Sequence, residues 1–164
     1  IGVESEEGKG SKFWFILPYV PGKAAAQRTE EQYPAVSVEK NKLMILIAED
    51  NDSNYRLFES ILRKEYTLLH AWNGQEAVEI YRQHRPHLVL MDINMPVMNG
   101  YEATAEIRKL SESVPIIAVT AFAFASDEQK VLQSGFDGYM AKPINALQLR
   151  TQIVDMLRKH VVLL

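Results

Sequence analysis

LVLMDINMP, residues 88–96, is the stretch that decides the fold. Four apolar residues typical of a buried strand lead into Asp92, and Asn94, Pro96 and Gly100 then favour a loop. Asp92 is therefore predicted to lie at the carboxyl end of a strand, the edge at which open α/β sheets bind ligands. Taken alone, the stretch equally allows Asp92 to be a residue that merely opens a turn.

A β-prone run followed by a helical segment recurs along the chain. These runs begin near Leu43, Tyr66, Leu88, Pro115 and Gly138. Between them, apolar residues have the i, i+3, i+4, i+7 spacing of amphipathic helices. The runs LMILIA, LVLM and IIAV are apolar almost throughout, as in strands covered by helices on both faces. Right-handed crossovers then predict an α/β fold, a doubly wound five-stranded parallel sheet like that of flavodoxin.

Helix spacing also predicts which side chains point inward. In the second helix, Ala77, Ile80, Tyr81 and His84 are expected on the buried face. A fourth helix is expected over residues 126–134, and Gly135 follows as a C-terminal stop.

Polar residues follow the predicted strands at one edge. Glu49 and Asp50 end the first strand, Asp92 the third and Thr120 the fourth, while Lys142 follows the fifth. In the strand order 2-1-3-4-5, the first, third and fourth strands are central neighbours, so these side chains converge on one crevice. Oxygen ligands without His or Cys favour Mg²⁺. A solvated acidic loop would explain the first two acids alone, but not five positions at strand ends.

This arrangement resembles the receiver domain of two-component response regulators, and we assign that domain to residues 43–160. Every signature position of the family is filled. The matching residues are Glu49-Asp50, Asp92 with Met95-Pro96 and Gly100, Thr120-Ala121, and Lys142-Pro143.

The resemblance implies a role for each site residue. Asp92 would be the phosphoryl acceptor, and Asp50, Asp92 and the backbone carbonyl of Asn94 would ligate Mg²⁺. Glu49 would orient a metal-bound water. Thr120 and Lys142 would contact the phosphoryl oxygens, because a hydroxyl and a compact ammonium suit that charge. These role-bearing positions are all present in the sequence.

Two features allow a second interpretation. Tyr139 occupies the position of the aromatic switch residue in receivers, yet it also fits an ordinary half-buried strand residue. In the family, the segment corresponding to residues 51–56 helps to dock the phosphodonor; the alternative is simple N-capping by Asp52 or Ser53. The four histidines are assigned no catalytic role, because they have no metal spacing and no predicted strand-end position. They are His70, His84, His87 and His160.

The segment before the receiver, residues 1–42, lacks the alternating strand and helix pattern. Residues 1–18 contain two β-prone runs separated by a glycine-rich turn, and they resemble the closing hairpin of the ATPase domain of sensor histidine kinases. Residues 19–42 lack apolar periodicity and are predicted to be a linker. Residues 161–164 are predicted to be an apolar tail.

Because Ile1 rather than Met comes first, we expect a piece of a longer protein, namely a hybrid sensor histidine kinase. No nucleotide-binding box of that family is present, so no ATP site is expected here.

The net charge and the residue composition disfavour some classes of partner and of chemistry. A formal charge of -3 offers no basic surface for nucleic acid, and the chain has no cysteine for thiolate chemistry. No apolar run has the length of a membrane span, and a cytoplasmic location is expected, on the cytoplasmic side of the membrane if the parent is a membrane sensor. The expected partners are the dimerisation and phosphotransfer domain of a histidine kinase or a histidine phosphotransfer protein. A homodimer is left open.

Three other functions are alternatives to the phosphoacceptor interpretation. A receiver that regulates a kinase without being phosphorylated is one. An aspartate-nucleophile phosphatase normally has a second acid two residues after the nucleophile, where this chain has Asn94. A flavodoxin-like cofactor binder would need a hydroxyl- and glycine-rich loop where residues 49–52 are Glu-Asp-Asn-Asp.

Overall fold

The computed structural model of the chain describes residues 2–6, 10–14, 43–121 and 130–161. The chain separates into two compact units, Ile1–Val36 and Ser37–Leu164. In the first, strands β1 (Gly2–Glu6) and β2 (Gly10–Trp14) pair antiparallel, with Val3 opposite Phe13. The predicted linker at residues 19–42 lies outside the described residues, as does most of the predicted tail.

The second unit contains the predicted five-stranded parallel sheet. Its strands are β3 (Met44–Ala48), β4 (Thr67–Ala71), β5 (Leu88–Asp92), β6 (Ile116–Thr120) and β7 (Gly138–Ala141). The spatial order is β4-β3-β5-β6-β7, which is the order 2-1-3-4-5 of the five units. All four pairings are parallel. The predicted fold class and strand order are therefore confirmed.

The described residues contain four helices whose bounds are as follows. They are α1 (Asp52–Leu62), α2 (Gly74–His84), α3 (Gly100–Leu110) and α4 (Ala146–Val161). Of the helices that the described ranges contain, none is both long and apolar enough to cross a membrane.

The sheet is covered on both faces, because successive residues of its strands point to opposite sides. Leu46 and Met91 belong to a core that also contains Ala77 of α2 and Ile107 of α3. The apolar strand residues adjacent to Leu46 and Met91 belong to a second core on the other face, formed with α1 and α4. The second core includes Ile45, Ile47, Leu90, Phe58 and Ile153. Two buried faces explain why the central strands are apolar throughout.

Two sequence expectations about the helices are wrong in detail. Asn51, rather than Asp52 or Ser53, caps α1, because its side chain accepts a hydrogen bond from the Asn54 backbone N–H. His84 is exposed, whereas Val78 is buried. Helix α2 ends at His84, because the cap residue Arg85 has a left-handed backbone conformation. The last buried residue of the helix is Tyr81, one turn before this end.

The fourth predicted helix is described only at its end. Residues 130–133 are helical, and the Ser134 backbone N–H donates to the Lys130 carbonyl. Gly135 then has φ +94°, a left-handed conformation that favours glycine after a helix. Residues 122–129 lie outside the described part of the chain.

Candidate metal centre at the carboxyl edge of the sheet

Asp92 is the last residue of β5, and the backbone around it is tightly constrained. The residue is 4% exposed, and its Oδ1 accepts a hydrogen bond of 3.1 Å from the Asn94 backbone N–H. The Gly100 N–H donates to the Ile93 carbonyl at 2.9 Å. A Cβ atom at position 100 would overlap the backbone carbonyl of Asp92, so α3 can begin this close to the strand only with glycine there.

Three carboxylates meet at this edge. Glu49, Asp50 and Asp92 each offer an oxygen, and these oxygens all lie within 4.8 Å of one another. Glu49 and Asp92 are buried, and Asp50 is exposed. Hard oxygen donors at this spacing match the ligand preference of Mg²⁺. The acids predicted to bind metal are therefore close enough together to share one cation.

Lys142 lies among these acids. Its Nζ donates to Asp92 Oδ2 at 2.6 Å and to Glu49 Oε2 at 2.8 Å. Burial lowers the pKa of the Lys142 ammonium, but the hydrogen bonds to Asp92 and Glu49 outweigh it and raise that pKa overall. Lys142 is thus held in its charged form. One ammonium does not balance three carboxylates, which leaves the site suited to a further cation.

The buried carboxyl of Glu49 has an altered acidity. Burial raises its pKa, and the hydrogen bonds from Lys142 and Asn54 offset this only in part. The Asn54 side chain, in the first turn of α1, donates from Nδ2 to Glu49 Oε1 at 2.8 Å. The sequence placed Asn54 in the segment expected to dock the phosphodonor, but predicted no contact between it and Glu49. The signal that could have found it is its position in the first turn of a helix that begins next to a strand end, because one side of that turn faces the strand end.

His70 contacts the backbone of Glu49 from near the end of β4, which corrects the expectation that no histidine lies at a strand end. It is the penultimate residue of β4 and pairs in register with Ile47 of β3, two residues before Glu49. Its Nε2 lies 2.9 Å from the backbone carbonyl of Glu49. Its ring stacks on Tyr55 with a centroid separation of 3.7 Å.

Thr120 and Tyr139 occupy the neighbouring strands. Thr120 ends β6, is 5% exposed, and accepts a hydrogen bond from the Lys142 backbone N–H at 2.7 Å through its carbonyl. Tyr139 is half-buried in β7, in register with Ala118, and packs against the core that contains Met91. The backbone thus links Thr120 to the lysine of the site, while Tyr139 lies further from the strand ends.

The chain belongs to the response regulator receiver family, because the family model "Response regulator receiver domain" matches residues 45–154. Among curated relatives, the polar-differentiation response regulator DivK of Brucella anthropi is 40% identical over 104 residues, which cover 62% of this chain and 85% of DivK. DivK of Brucella ovis is 38% identical over the same length. Family membership implies a phosphoacceptor role in two-component signalling.

Solved structures give the same result. The receiver domain of Saccharomyces cerevisiae Ssk1, crystallised with the histidine phosphotransfer protein Ypd1, is 34% identical with a TM-score of 0.68. The match covers 73% of this chain and 92% of that one. A CheY-like receiver domain protein from Methanospirillum hungatei is 28% identical with a TM-score of 0.67, over 72% of this chain and 95% of that chain. These likenesses confirm the receiver fold.

Proposed function

We propose that this chain is a Mg²⁺-dependent phosphoacceptor in a phosphorelay, with Asp92 as the acceptor. The observation that carries the proposal is the ion pair of 2.6 Å between Lys142 and Asp92, within a cluster that also contains Glu49 and Asp50. A nucleophilic carboxylate beside a fixed ammonium and two further acids has the charge pattern that phosphoryl transfer requires.

In the proposed reaction, a carboxylate oxygen of Asp92 forms a bond to phosphorus as the phosphorus–nitrogen bond of a phosphohistidine breaks. The bonding electrons leave with the imidazole nitrogen, which takes up a proton from water. The product is an acyl phosphate on Asp92. The group then passes to a histidine phosphotransfer domain. Alternatively, water attacks phosphorus, the bond to the Asp92 oxygen breaks, and inorganic phosphate leaves as the carboxylate is restored.

Asp50, Asp92 and the backbone carbonyl of Asn94 are the proposed Mg²⁺ ligands, and Glu49 is proposed to act through a metal-bound water. When bound, the ion supplies positive charge that neutralises the transferring group. The donor set supports this assignment, since oxygens of Glu49, Asp50 and Asp92 lie within 4.8 Å of one another. The phosphatase alternative is not supported, because position 94 is an amide rather than an acid.

Lys142 and Thr120 are the proposed contacts to the phosphoryl oxygens. The Lys142 ammonium already lies beside Asp92, so a phosphoryl group on that carboxylate would meet it without a large movement. Thr120 ends the strand next to Asp92, and Asp92 pairs with its neighbour Val119. A hydroxyl there adds a hydrogen bond to an oxygen that gains charge.

The proposed output is a shift of population after phosphorylation. The acyl phosphate adds a charge of about -1.5 to -2 near Thr120 and Lys142, which favours conformations that bring both groups to it. Tyr139 is the proposed aromatic reporter of that shift. Its half-buried position against the core that contains Met91 supports this role, because a change in its packing there would alter its exposure.

The proposed partners are a histidine phosphotransfer protein or the dimerisation and phosphotransfer domain of a histidine kinase. The co-crystal of Ssk1 with Ypd1 supports the first kind of partner. We also propose that the receiver belongs to a cytoplasmic hybrid histidine kinase, whose ATPase domain would end in the antiparallel pair β1–β2. The charge of -3 gives no reason to add nucleic acid as a partner.

Beryllofluoride, which mimics the acyl phosphate, tests the proposal. With Mg²⁺, it should change the amide NMR signals of Thr120, Tyr139 and Lys142 in the wild type and leave an Asp92→Asn variant unchanged. Unchanged signals in the wild type would indicate a receiver that acts without phosphorylation.

A further inference from the structure

Glu49 is held by donors on both oxygens of its carboxylate. Lys142 Nζ lies 2.8 Å from Oε2, and Asn54 Nδ2 lies 2.8 Å from Oε1. The side chain is 1% exposed, so water does not compete for these positions. Two donors on opposite oxygens fix the plane of the carboxylate, and only one of them, Lys142, is also bonded to Asp92.

The backbone of Glu49 is held as well. Its carbonyl lies 2.9 Å from His70 Nε2, and because a carbonyl can only accept, Nε2 carries the proton. A peptide group is planar, so holding this carbonyl also sets the direction in which the chain continues to Asp50. His70 thus contacts the peptide that joins the two neighbouring acids.

Aromatic contacts keep the His70 ring in place. The ring lies parallel to Tyr55, with an interplanar angle of 9° and a centroid distance of 3.7 Å. The His70 ring also contacts the Trp72 ring, with a centroid distance of 4.2 Å and an interplanar angle of 56°. Tyr55 follows Asn54 directly in α1, so one turn of that helix supports both the carboxylate of Glu49 and the histidine behind its carbonyl.

We infer that Asn54 and His70 are positioning residues, which orient the acid pair Glu49 and Asp50 toward the cation. This inference rests on the proposed Mg²⁺-dependent function. Neither residue would touch the cation or the phosphoryl group. Hydrogen bonds that orient metal ligands in this way are typically worth about 10-fold to 100-fold in affinity or activity.

The test measures Mg²⁺ affinity of the full chain by calorimetry. Asn54→Leu removes the amide and keeps the branched shape of the side chain. His70→Phe keeps an aromatic ring for the stack but removes the N–H donor. Each should raise the Mg²⁺ dissociation constant about tenfold. Acetyl phosphate labelling should be slow at low Mg²⁺ and recover at saturating Mg²⁺, which a general loss of folding would not produce.

Two matched variants serve as controls. Gln75→Leu makes the same amide-to-leucine change on the exposed face of α2. His87→Phe removes a histidine whose Nδ1 accepts a hydrogen bond of 3.0 Å from the Met44 backbone N–H. Met44 begins β3, so this contact lies at the amino ends of the strands, opposite the acidic cluster. Both should bind Mg²⁺ as the wild type does.

A double-mutant cycle separates positioning from general stability. In a Glu49→Ala background, Asn54→Leu should weaken Mg²⁺ binding much less than in the wild type, because the side chain that accepts from Asn54 is gone. Wild-type affinity in both Asn54→Leu and His70→Phe would overturn the inference and leave the phosphoacceptor function standing. An equal effect of Asn54→Leu in both backgrounds would also overturn it. Absence of Mg²⁺ binding by the wild type would instead refute the proposed function.

Discussion

Lys142 Nζ lies 2.6 Å from Asp92 Oδ2, joining residues 50 positions apart in the chain. The contact depends on the parallel sheet, because β5 and the strand that precedes Lys142 end at the same edge, separated only by β6. The lysine side chain is 20% exposed, whereas that of Asp92 is 6% exposed. The ammonium therefore reaches in from the rim of the site to a buried carboxylate.

Replacing Lys142 with Met should destabilise the metal-free protein. The buried carboxylates of Asp92 and Glu49 would lose their cation, and an unsatisfied buried group costs about 1–3 kcal/mol. Urea unfolding in EDTA measures this loss, and added Mg²⁺ should restore part of it. Equal stability of variant and wild type in EDTA would contradict the charge balance described for the site.

Glu49→Gln should stabilise the metal-free protein at neutral pH. Burial raises the pKa of Glu49, so the folded state holds the proton more tightly than the unfolded state. The stability from this group is fully present below its unfolded pKa and is lost as the pH rises through the folded pKa. The variant should therefore gain most over the wild type at pH 7, and the gap should narrow toward pH 4.

Thermal unfolding in EDTA across that pH range checks the sign. Because the same substitution removes a proposed cation contact, Mg²⁺ should raise the melting temperature of the variant less than that of the wild type. A gap that widens toward acid would contradict the raised pKa.

Gly100→Ala should disturb the acceptor itself. The new Cβ would overlap the backbone carbonyl of Asp92, which cannot move without shifting the end of β5. We expect a loss of about 1–3 kcal/mol in the free energy of unfolding, together with slower phosphorylation.

Gly138→Ala is the matched control for that substitution. Its Cβ would meet the Met156 Cε and Gln152 Nε2 atoms, at 2.8 Å and 2.9 Å, and these are the ends of flexible side chains that can turn away. It should cost less than Gly100→Ala in urea unfolding. A larger loss from Gly138→Ala would show that the overlap with Asp92 is not the dominant constraint.

Thr104→Val should stabilise the protein. The Thr104 hydroxyl is fully buried in α3 and has no hydrogen-bond partner among the described residues. Valine has nearly the same shape and the same β-branching, so the substitution removes an unsatisfied polar atom and should gain about 1 kcal/mol. Thr104→Ser, which keeps the hydroxyl and loses the methyl group, should be less stable than the wild type. Urea unfolding compares all three, and a Val variant less stable than the wild type would contradict the prediction.

Strand positions could be predicted from the sequence because apolar runs and the acids that follow them are local patterns. Asp92, Glu49 and Lys142 were expected at one edge of the sheet, and the structure brings them together. The contacts of Asn54 and His70 could not be predicted in this way. They depend on the position at which α1 begins and on the direction of each side chain.

The ends of the helices could not be predicted from apolar spacing either, because they depend on backbone geometry. His84 fits the apolar period of α2, but the left-handed Arg85, with φ 48°, ends the helix at that point. Asn51 caps α1 because its side chain, and not that of Asp52, reaches the Asn54 N–H. Periodicity identifies a face of a helix, whereas the last turn depends on backbone geometry.

The measurement that tests the central claim most directly is labelling of the chain by acetyl phosphate, followed by intact-mass analysis and mapping of the modified peptide. With Mg²⁺, the wild type should gain one acid- and alkali-labile phosphoryl group on the peptide that contains Asp92. EDTA or Asp92→Asn should abolish the gain. Labelling that persists in Asp92→Asn, or that is unchanged by EDTA, would contradict the assignment of Asp92 as the Mg²⁺-dependent phosphoacceptor.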